Sequence, residues 1–126
     1  MIVGIGIDLV EVSRIRSVYE RHRERFVNRI LTPAERAYVL RHRDPSERLA
    51  GRWAAKEAAL KALGTGLSAG IRWQDAEILP DDRGKPILQF HGNAATLAAQ
   101  LGANVLHVTI THGGDIAFAQ VILEKV

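Results

Sequence analysis

Three charged residues have the types and spacing that could hold a divalent cation together with a phosphate group. Asp8 follows the apolar residues 2–7, which predict a buried first strand that ends at this carboxylate. Glu57 and Lys61 are four residues apart, so they share one face of a predicted helix. Mg²⁺ prefers carboxylate oxygens with substrate phosphates, so Asp8 and Glu57 could be ligands while Lys61 faces a phosphate. The same residues also fit a turn aspartate and a surface ion pair of about 0.3–0.5 kcal/mol.

Two further segments could contact a ligand. Gly64, Thr65 and Gly66 directly follow the helix that holds Lys61. Backbone N–H groups between glycines can bind phosphate, although a helix C-cap explains Gly64 equally well. His112 ends a predicted strand in phase with the apolar residues of that strand. We therefore expect His112 to close the core, and ligand binding is the alternative.

A stripe of three arginines and one valine is predicted on one face of the first helical region. Its members, called the arginine stripe below, are Arg14, Val18, Arg21 and Arg25. The stripe borders the apolar face of the same region, which is formed by Val12, Ile15 and Tyr19. A charged helix face is usually only solvated, but arginines beside a valine would also suit the docking of an acidic amphipathic helix.

Capping signals predict the helices of the first half. Thr32 and Glu35 form a capping box around Pro33, which is typical of a helix start. Asp44 predicts the cap of a long, alanine-rich helix that runs to Leu63 and stops at Gly64. Glu57 and Lys61 are positioned by this helix.

The second half is predicted to consist mainly of strands. Alternating apolar residues place these strands at 76–79, 87–90, 105–111 and 116–123. A hairpin turn at 81–85 joins the first pair, and residues 113–115 join the second pair. Between the pairs, Asn93 predicts the cap of a short helix that ends near Gly102. We predict one α+β domain over residues 1–126, with an antiparallel sheet packed against a long central helix and shorter helices.

Composition narrows the chemistry. The 126 residues include no cysteine, which excludes disulfides, thiolate metal sites and thiol catalysis. No signal peptide is recognised, because the N-terminal apolar stretch is short and is followed by Asp8. No apolar run reaches the ~18 residues of a membrane span, so we expect a soluble, cytoplasmic protein without a membrane partner.

Charge is distributed unevenly along the chain. Residues 1–63 carry a formal charge of +5 and residues 64–126 carry −2. The basic half favours an acidic partner, which could be a nucleic acid, an acidic protein or a phosphorylated small molecule. A small nucleic-acid-binding module is the alternative function, but the seven Phe, Trp and Tyr residues do not interleave with the basic ones. The Gly-Lys-Ser/Thr string of P-loop hydrolases is absent from the sequence, which argues against that class of enzyme.

Several strings occur together in an order that is typical of one family. They are Gly-Ile-Gly-Ile-Asp at 4–8, Ala-Gly-Arg-Trp-Ala-Ala-Lys-Glu-Ala at 50–58 with Lys61 and Gly-Thr-Gly at 64–66 after it, Gly-Lys-Pro at 84–86 and Thr-Ile-Thr-His at 109–112. With these strings the chain resembles the bacterial holo-acyl-carrier-protein synthases over essentially its whole length. The departures are small, such as Ile116 where the family often has tyrosine.

The resemblance implies an activity and a set of site residues. It implies a Mg²⁺-dependent phosphopantetheinyl transferase of fatty-acid biosynthesis that works as a homotrimer, with active sites between subunits. Asp8 and Glu57 would bind Mg²⁺ and Lys61 would face the pyrophosphate of coenzyme A. The residues implied to line the coenzyme site are Arg52, Lys61, Gly64, Thr65, Gly66, Pro86 and His112, and the arginine stripe would hold an acidic helix of acyl carrier protein.

The implied reaction needs no nucleophile from the enzyme. A serine hydroxyl of the carrier protein attacks the β-phosphorus of coenzyme A, and adenosine 3′,5′-bisphosphate leaves. Such a transfer requires mainly positioning and neutralisation of oxygen charge, which a metal and a lysine supply. Glu57 is the candidate to take the serine proton, directly or through a metal-bound water.

Overall fold

The fold of the chain consists of five strands, five α-helices and one 3₁₀ turn, and the computed structural model describes all 126 residues. In chain order the elements are β1 (Ile2–Glu11), α1 (Val12–His22), α2 (Glu24–Ile30), α3 (Pro33–Val39), α4 (Ser46–Leu63), the 3₁₀ turn (Trp73–Asp75), β2 (Ala76–Pro80), β3 (Pro86–Phe90), α5 (Gly92–Leu101), β4 (Val105–Gly113) and β5 (Ile116–Glu124). None of the helices combines the length and the apolar character that crossing a bilayer requires.

Two antiparallel sheets and the long helix α4 organise the chain, which confirms the predicted α+β class. The larger sheet has the strand order β1-β5-β4, and β2 pairs with β3 in a separate hairpin. Helix α4 packs across one face of the larger sheet. On that face β5 places Ala117, Ala119, Val121 and Leu123, all of them fully buried.

The first strand is longer than the sequence indicated. It continues through Asp8 to Glu11, so Asp8 lies within the strand ladder opposite Ala119 and does not end the strand. The prediction was wrong because Val10 continues the alternation and is buried beside α4. Asp8 therefore lies on the same, helix-facing side of β1 as Val10 and Gly6.

Two glycines of β1 allow the strand to lie directly against the backbone of α4. A Cβ atom at Gly6 would lie only 1.8 Å from the carbonyl oxygen of Ala58. A Cβ atom at Gly4 would lie 2.3 Å from the carbonyl oxygen of Ala62. Any larger residue would force the two elements apart, so these glycines set the separation between Asp8 and the helix that holds Lys61.

The first helical region is two helices and not one. Arg23 adopts a positive φ of 45°, and its N–H closes α1 by donating to the carbonyl of Tyr19. The break has a packing reason, because the buried residues Ile15 and Val27 would lie about 120° apart around one continuous helix. Arg25 therefore belongs to α2, and the arginine stripe on α1 is limited to Arg14, Val18 and Arg21.

The predicted helix ends are confirmed at α3 and at the C-terminus of α4. Thr32 and Glu35 form the reciprocal capping box, and Gly64 ends α4 with a left-handed φ of 87°. Helix α4 begins at Ser46, with Pro45 in the N-cap position. The predicted cap, Asp44, would have started the helix one residue earlier. The carboxylate of Asp44 still accepts from the Ser46 N–H at 3.1 Å.

Asn93 does not cap α5. The helix begins at Gly92, with His91 as the N-cap residue. The Asn93 side chain instead donates to the carbonyl of Ala69 at 3.1 Å, and so binds the loop after α4.

A buried ion pair fixes α4 against α3 and β2. The Lys56 ammonium and the Glu35 carboxylate are fully buried and 2.7 Å apart. Lys56 also donates to the carbonyl oxygens of Trp73 and Ala76, at 3.2 Å and 2.5 Å. The second oxygen of Glu35 accepts from the Ile78 N–H at 2.8 Å. Both buried charges are thus paired and hydrogen-bonded, the condition under which buried ions are tolerated.

We predict that Gly6→Ala lowers the free energy of unfolding by about 3 kcal/mol or more, which is the upper end of the cost of overpacking a core. The cost is high because the clashing atom belongs to a helix backbone. Urea unfolding followed by circular dichroism measures the change. Gly113→Ala is the matched control, since a Cβ atom there would have no neighbour within 4 Å. Equal stabilities of the two variants would contradict the close packing of β1 on α4.

Candidate active site

Asp8 and Lys61 form an ion pair at the edge where β1 meets α4. The Lys61 ammonium donates to Asp8 Oδ1 at 2.9 Å and to the carbonyl of Ile7 at 3.1 Å. The Asp8 side chain is only 18% exposed, whereas that of Lys61 is 53% exposed. The ion-pair partner of Lys61 is therefore Asp8 and not Glu57, the partner that helix spacing suggested.

Glu57 lies within the same electrostatic environment. Burial raises the pKa of Glu57, the negative charge of Asp8 raises it further, and the charges of Lys61 and Arg14 oppose these effects. The structure thus brings Asp8, Glu57 and Lys61 together and adds Arg14 from the start of α1. A buried carboxylate beside a second negative charge forms a site that a cation would stabilise.

Few side chains at this edge could bind a metal ion. No group of three or more His, Cys, Asp or Glu side chains is arranged to hold a metal ion anywhere in the chain. Asp8 and Glu57 offer two carboxylates, which is the protein contribution expected for Mg²⁺ that keeps water and substrate phosphates as its other ligands. Structural zinc would need four protein ligands, so this set does not suit it.

The Gly64–Thr65–Gly66 segment directly follows the helix turn of Lys61. Gly64 and Gly66 both have positive φ, and a Cβ atom at either would meet nothing within 4 Å. The backbone of Gly64 and Gly66 is exposed, three and five residues after Lys61 in the chain. Exposed backbone N–H groups between glycines could contact phosphate oxygens of a ligand.

Aromatic residues line the same flank of α4. Trp53 precedes Glu57 by one helix turn and stacks on Trp73, with ring centroids 4.7 Å apart. Phe26 lies against Trp53 at 6.0 Å between centroids. This apolar cluster was not predicted from the sequence, although the i, i+4, i+8 spacing of Trp53, Glu57 and Lys61 could have indicated it.

Arg52 lies on a different flank of α4. It comes five positions before Glu57, which places the two side chains about 140° apart around the helix axis. The Arg52 guanidinium carbon lies 4.8 Å from the ring centroid of Tyr38, and its Nε has no hydrogen-bond partner. Burial lowers the pKa of Arg52, while Tyr38 and Glu35 oppose the effect.

His112 is exposed, so the expected core position is wrong. Its ring lies over Gly51, where a Cβ atom would come within 3.2 Å of Nε2. Nε2 is 3.1 Å from the carbonyl of Glu47 and donates to it. His112 keeps the helix-facing phase of Val108 and Ile110, but it stays exposed because β4 is an edge strand whose last residues lie over the N-terminal turns of α4.

His112 and Pro86 are separated from the carboxylates within one chain. Strand β4, which holds His112, lies on the far side of β5 from β1, about 9–10 Å away by strand spacing. Pro86 begins β3 opposite Pro80, and Pro80 shares a cleft of about 340 Å³ with Tyr38. The predicted coenzyme residues therefore form two groups, one with Lys61 and one near Arg52, on opposite sides of α4.

The arginine stripe is exposed along α1. Arg14 and Arg21 make no ion pair within the chain, and Val18 between them is half-buried. By contrast Arg16 pairs with Asp44 at 3.4 Å, and Arg23 stacks over Tyr19. Two unpaired guanidinium groups two helix turns apart could meet an acidic partner.

The chain is similar in sequence to proteins of one enzyme family. Residues 4–119 match the 4′-phosphopantetheinyl transferase superfamily. The chain is 50% identical over 125 residues to holo-(acyl-carrier-protein) synthase of Solibacter usitatus, covering 99% of this chain and 100% of that protein. It is 47% identical over 124 residues to the synthase of Yersinia enterocolitica, covering 98% of each chain.

Solved structures of the same family share the fold. The structure of holo-(acyl-carrier-protein) synthase from Neisseria meningitidis matches with a TM-score of 0.90 and 33% identity, over 99% of this chain and 100% of that chain. The Bacillus anthracis synthase, solved in complex with coenzyme A (3′,5′-ADP), matches with a TM-score of 0.83 and 40% identity, over 100% and 99%. From full-length similarity in both sequence and fold, the chain belongs to the 4′-phosphopantetheinyl transferase superfamily and, within it, to the holo-(acyl-carrier-protein) synthase family.

Proposed function

We propose that this chain transfers phosphopantetheine from coenzyme A to a serine of apo acyl carrier protein in fatty-acid biosynthesis. The observation that carries the proposal is the cluster of Asp8, Glu57 and Lys61 beside an open glycine loop, in a chain of this family. Two carboxylates and a lysine suit a pyrophosphate substrate that arrives with a divalent cation.

Asp8 and Glu57 are the residues that we propose to hold Mg²⁺. The pKa of Glu57 is raised by burial and then by the charge of Asp8, and this supports the choice because a nearby cation would offset both effects. When bound, Mg²⁺ neutralises phosphate-oxygen charge in the transition state.

The remaining residues of the site bind and orient the substrate. Lys61 is held by Asp8 and the Ile7 carbonyl, and its half-exposed ammonium can contact pyrophosphate oxygens. The exposed backbone of Gly64 and Gly66, three and five residues later in the chain, offers further contacts. Pre-positioned donors of this kind stabilise charge that develops on the oxygens during transfer.

The proposed step is a direct displacement. The bond between the serine oxygen and the β-phosphorus forms, and the bond from that phosphorus to the bridging oxygen breaks. The bridging oxygen leaves with the electron pair as part of adenosine 3′,5′-bisphosphate. We assign the serine proton to Glu57 through a water molecule in the site, because a carboxylate that also holds a cation is a weak base for direct transfer.

We predict that Asp8→Asn and Glu57→Gln each lower the transfer rate by about 100-fold or more while the fold is retained, because each variant loses a charged oxygen that orders the phosphate site. Mass spectrometry of apo carrier protein incubated with coenzyme A and Mg²⁺ measures the transfer, and circular dichroism checks the fold. Asp82→Asn removes an exposed acid in the β2–β3 turn and serves as the matched control. Near-wild-type turnover in either site variant would refute the assignment.

We further propose that the active form is a homotrimer with the site shared between neighbouring subunits. The outer face of the larger sheet supports association, since Ile5, Ile7 and Leu9 of β1 are each 47–58% exposed on it. An antiparallel sheet that faces water usually carries polar residues on that side. The number three follows from the family resemblance.

The separation of the predicted coenzyme residues supports a shared site. Glu57 and Lys61 lie on the flank of α4 beside β1, whereas Arg52 lies on the opposite flank over Tyr38 and His112 lies on β4. Contact between subunits through the sheet would let the first group of one copy face the second group of a neighbouring copy.

This sharing predicts complementation between inactive variants. Co-refolding Lys61→Met with His112→Ala should restore activity to about a quarter of the sites, the fraction expected for random assortment at a site built from two subunits. Co-refolding Lys61→Met with Glu57→Gln, two changes in the same group, should restore none. Recovery in neither mixture, or an active monomer in sedimentation equilibrium, would contradict the shared site.

We propose the arginine stripe as the docking surface for an acidic helix of the carrier protein. Arg14 and Arg21 are exposed and form no ion pair within the chain, and Val18 adds an apolar contact between them. Arg14 also lies near Glu57, so a helix bound along the stripe would reach the carboxylate site. Complementary charges at such a surface steer association and fix orientation.

We predict that the double change Arg14→Glu and Arg21→Glu raises the KM for carrier protein about 30-fold at low salt, since two lost charge pairs amount to about 2 kcal/mol. Steady-state kinetics at two salt concentrations measures the effect, and the wild-type KM should itself rise with salt.

Arg21→Glu alone is the cleaner variant, because Arg14 also acts on Glu57. The control is Arg29→Glu with Lys125→Glu, which makes the same change in net charge. An unchanged carrier KM in the Arg14 and Arg21 variant would show that the stripe is only a solvated face.

A further inference from the structure

We infer that Asp115, in the turn between β4 and β5, caps the N-terminus of α1 from outside the helix and thereby positions the arginine stripe for the carrier protein. The inference rests on the proposed docking surface for its functional part. Asp115 is thus a positioning residue for the acceptor substrate and touches no reacting atom. Its contacts with α1 carry the argument.

Asp115 provides three hydrogen-bond acceptors to the first turn of α1. Its Oδ1 accepts from the Ser13 N–H at 3.0 Å, and its Oδ2 accepts from the Ser13 hydroxyl. Its backbone carbonyl accepts from the Val12 N–H at 2.7 Å. One residue thus satisfies two of the backbone N–H groups that a helix start leaves without partners.

Helix α1 has no cap of its own. Glu11 occupies the N-cap position, but its side chain makes no capping hydrogen bond. The first turn contains no acidic residue, and Arg14 places a positive charge where the helix dipole favours a negative one. The carboxylate of Asp115 therefore supplies both the hydrogen-bond acceptor and the negative charge that the local sequence lacks.

The position of this cap matters because Arg14 directly follows Ser13. If the first turn frays, Arg14 loses its fixed position, and its orientation relative to Arg21 two turns later is lost as well. The core contacts of α1 are separate, since Val12 and Ile15 remain buried against the rest of the fold. Loss of the cap should therefore disturb docking more than folding.

The first test follows the helix itself and needs no activity. Asp115→Ala should speed hydrogen exchange about fivefold or more at the Ser13 and Arg14 amides, with little change in the second half of α1. Asp82→Ala, which removes an exposed acid from the other hairpin turn, should leave these amides unchanged. Exchange at Ser13 and Arg14 that is equal in Asp115→Ala and in the wild type would overturn the cap.

The second test is kinetic. Asp115→Ala should raise the carrier KM about 5- to 10-fold and leave kcat and the KM for coenzyme A within twofold. Asp115→Asn keeps an acceptor for the Ser13 N–H and should have a smaller effect. In the Asp115→Ala background, Glu11→Asp supplies a short carboxylate at the N-cap position itself, and this local cap should restore the carrier KM.

The outcomes separate the cap from the docking surface. If Arg21→Glu raises the carrier KM but Asp115→Ala does not, the positioning role is wrong and the docking surface stands. If neither change affects the carrier KM while hydrogen exchange increases, Asp115 caps the helix but the proposed docking surface fails. Equal losses in kcat and in both KM values, without rescue by Glu11→Asp, would show a general structural role and overturn the inference.

Discussion

The close contact between β1 and α4 is the constraint on which the site depends. Gly4 and Gly6 leave no side chain between the strand and the carbonyl oxygens of Ala58 and Ala62. This separation, smaller than side chains normally permit, lets Asp8 on the strand reach Lys61 on the helix at 2.9 Å. The glycines thus act on the chemistry through distance, because a larger residue at either position would push the helix that holds Lys61 away from Asp8.

A second constraint fixes the rotation of α4. Lys56 and Glu57 are neighbours, so on a helix they point about 100° apart. Lys56 is held in the core by Glu35 and two carbonyl oxygens, and this requires Glu57 to lie on the flank that faces Asp8. Burial lowers the pKa of Lys56, and Glu35 opposes this effect. Removing either residue would leave the other charge buried without a partner and would destabilise the fold by about 3–5 kcal/mol.

Local signals predicted the parts of the fold that local interactions determine. The Thr32–Glu35 capping box, the left-handed Gly64 and the β2–β3 turn each depend on residues within a few positions of one another. The break at Arg23 and the exposure of His112 depend on packing between distant elements, which periodicity cannot report. Asp115 is the extreme case, since the helix start that it caps lies 102 residues earlier in the chain.

The carboxylate site shows the same division between local and distant causes. Residue types and the i, i+4 spacing identified Glu57 and Lys61, but the spacing favoured an ion pair between them. In the structure Asp8 takes the lysine as its partner, and Glu57 is left with a raised pKa beside a second carboxylate. A site in which one carboxylate is neutralised and the other is not retains an unbalanced negative charge. That residual charge depends on which acid the lysine pairs with. It favours binding of a phosphate group that arrives with a cation over binding of the phosphate group alone.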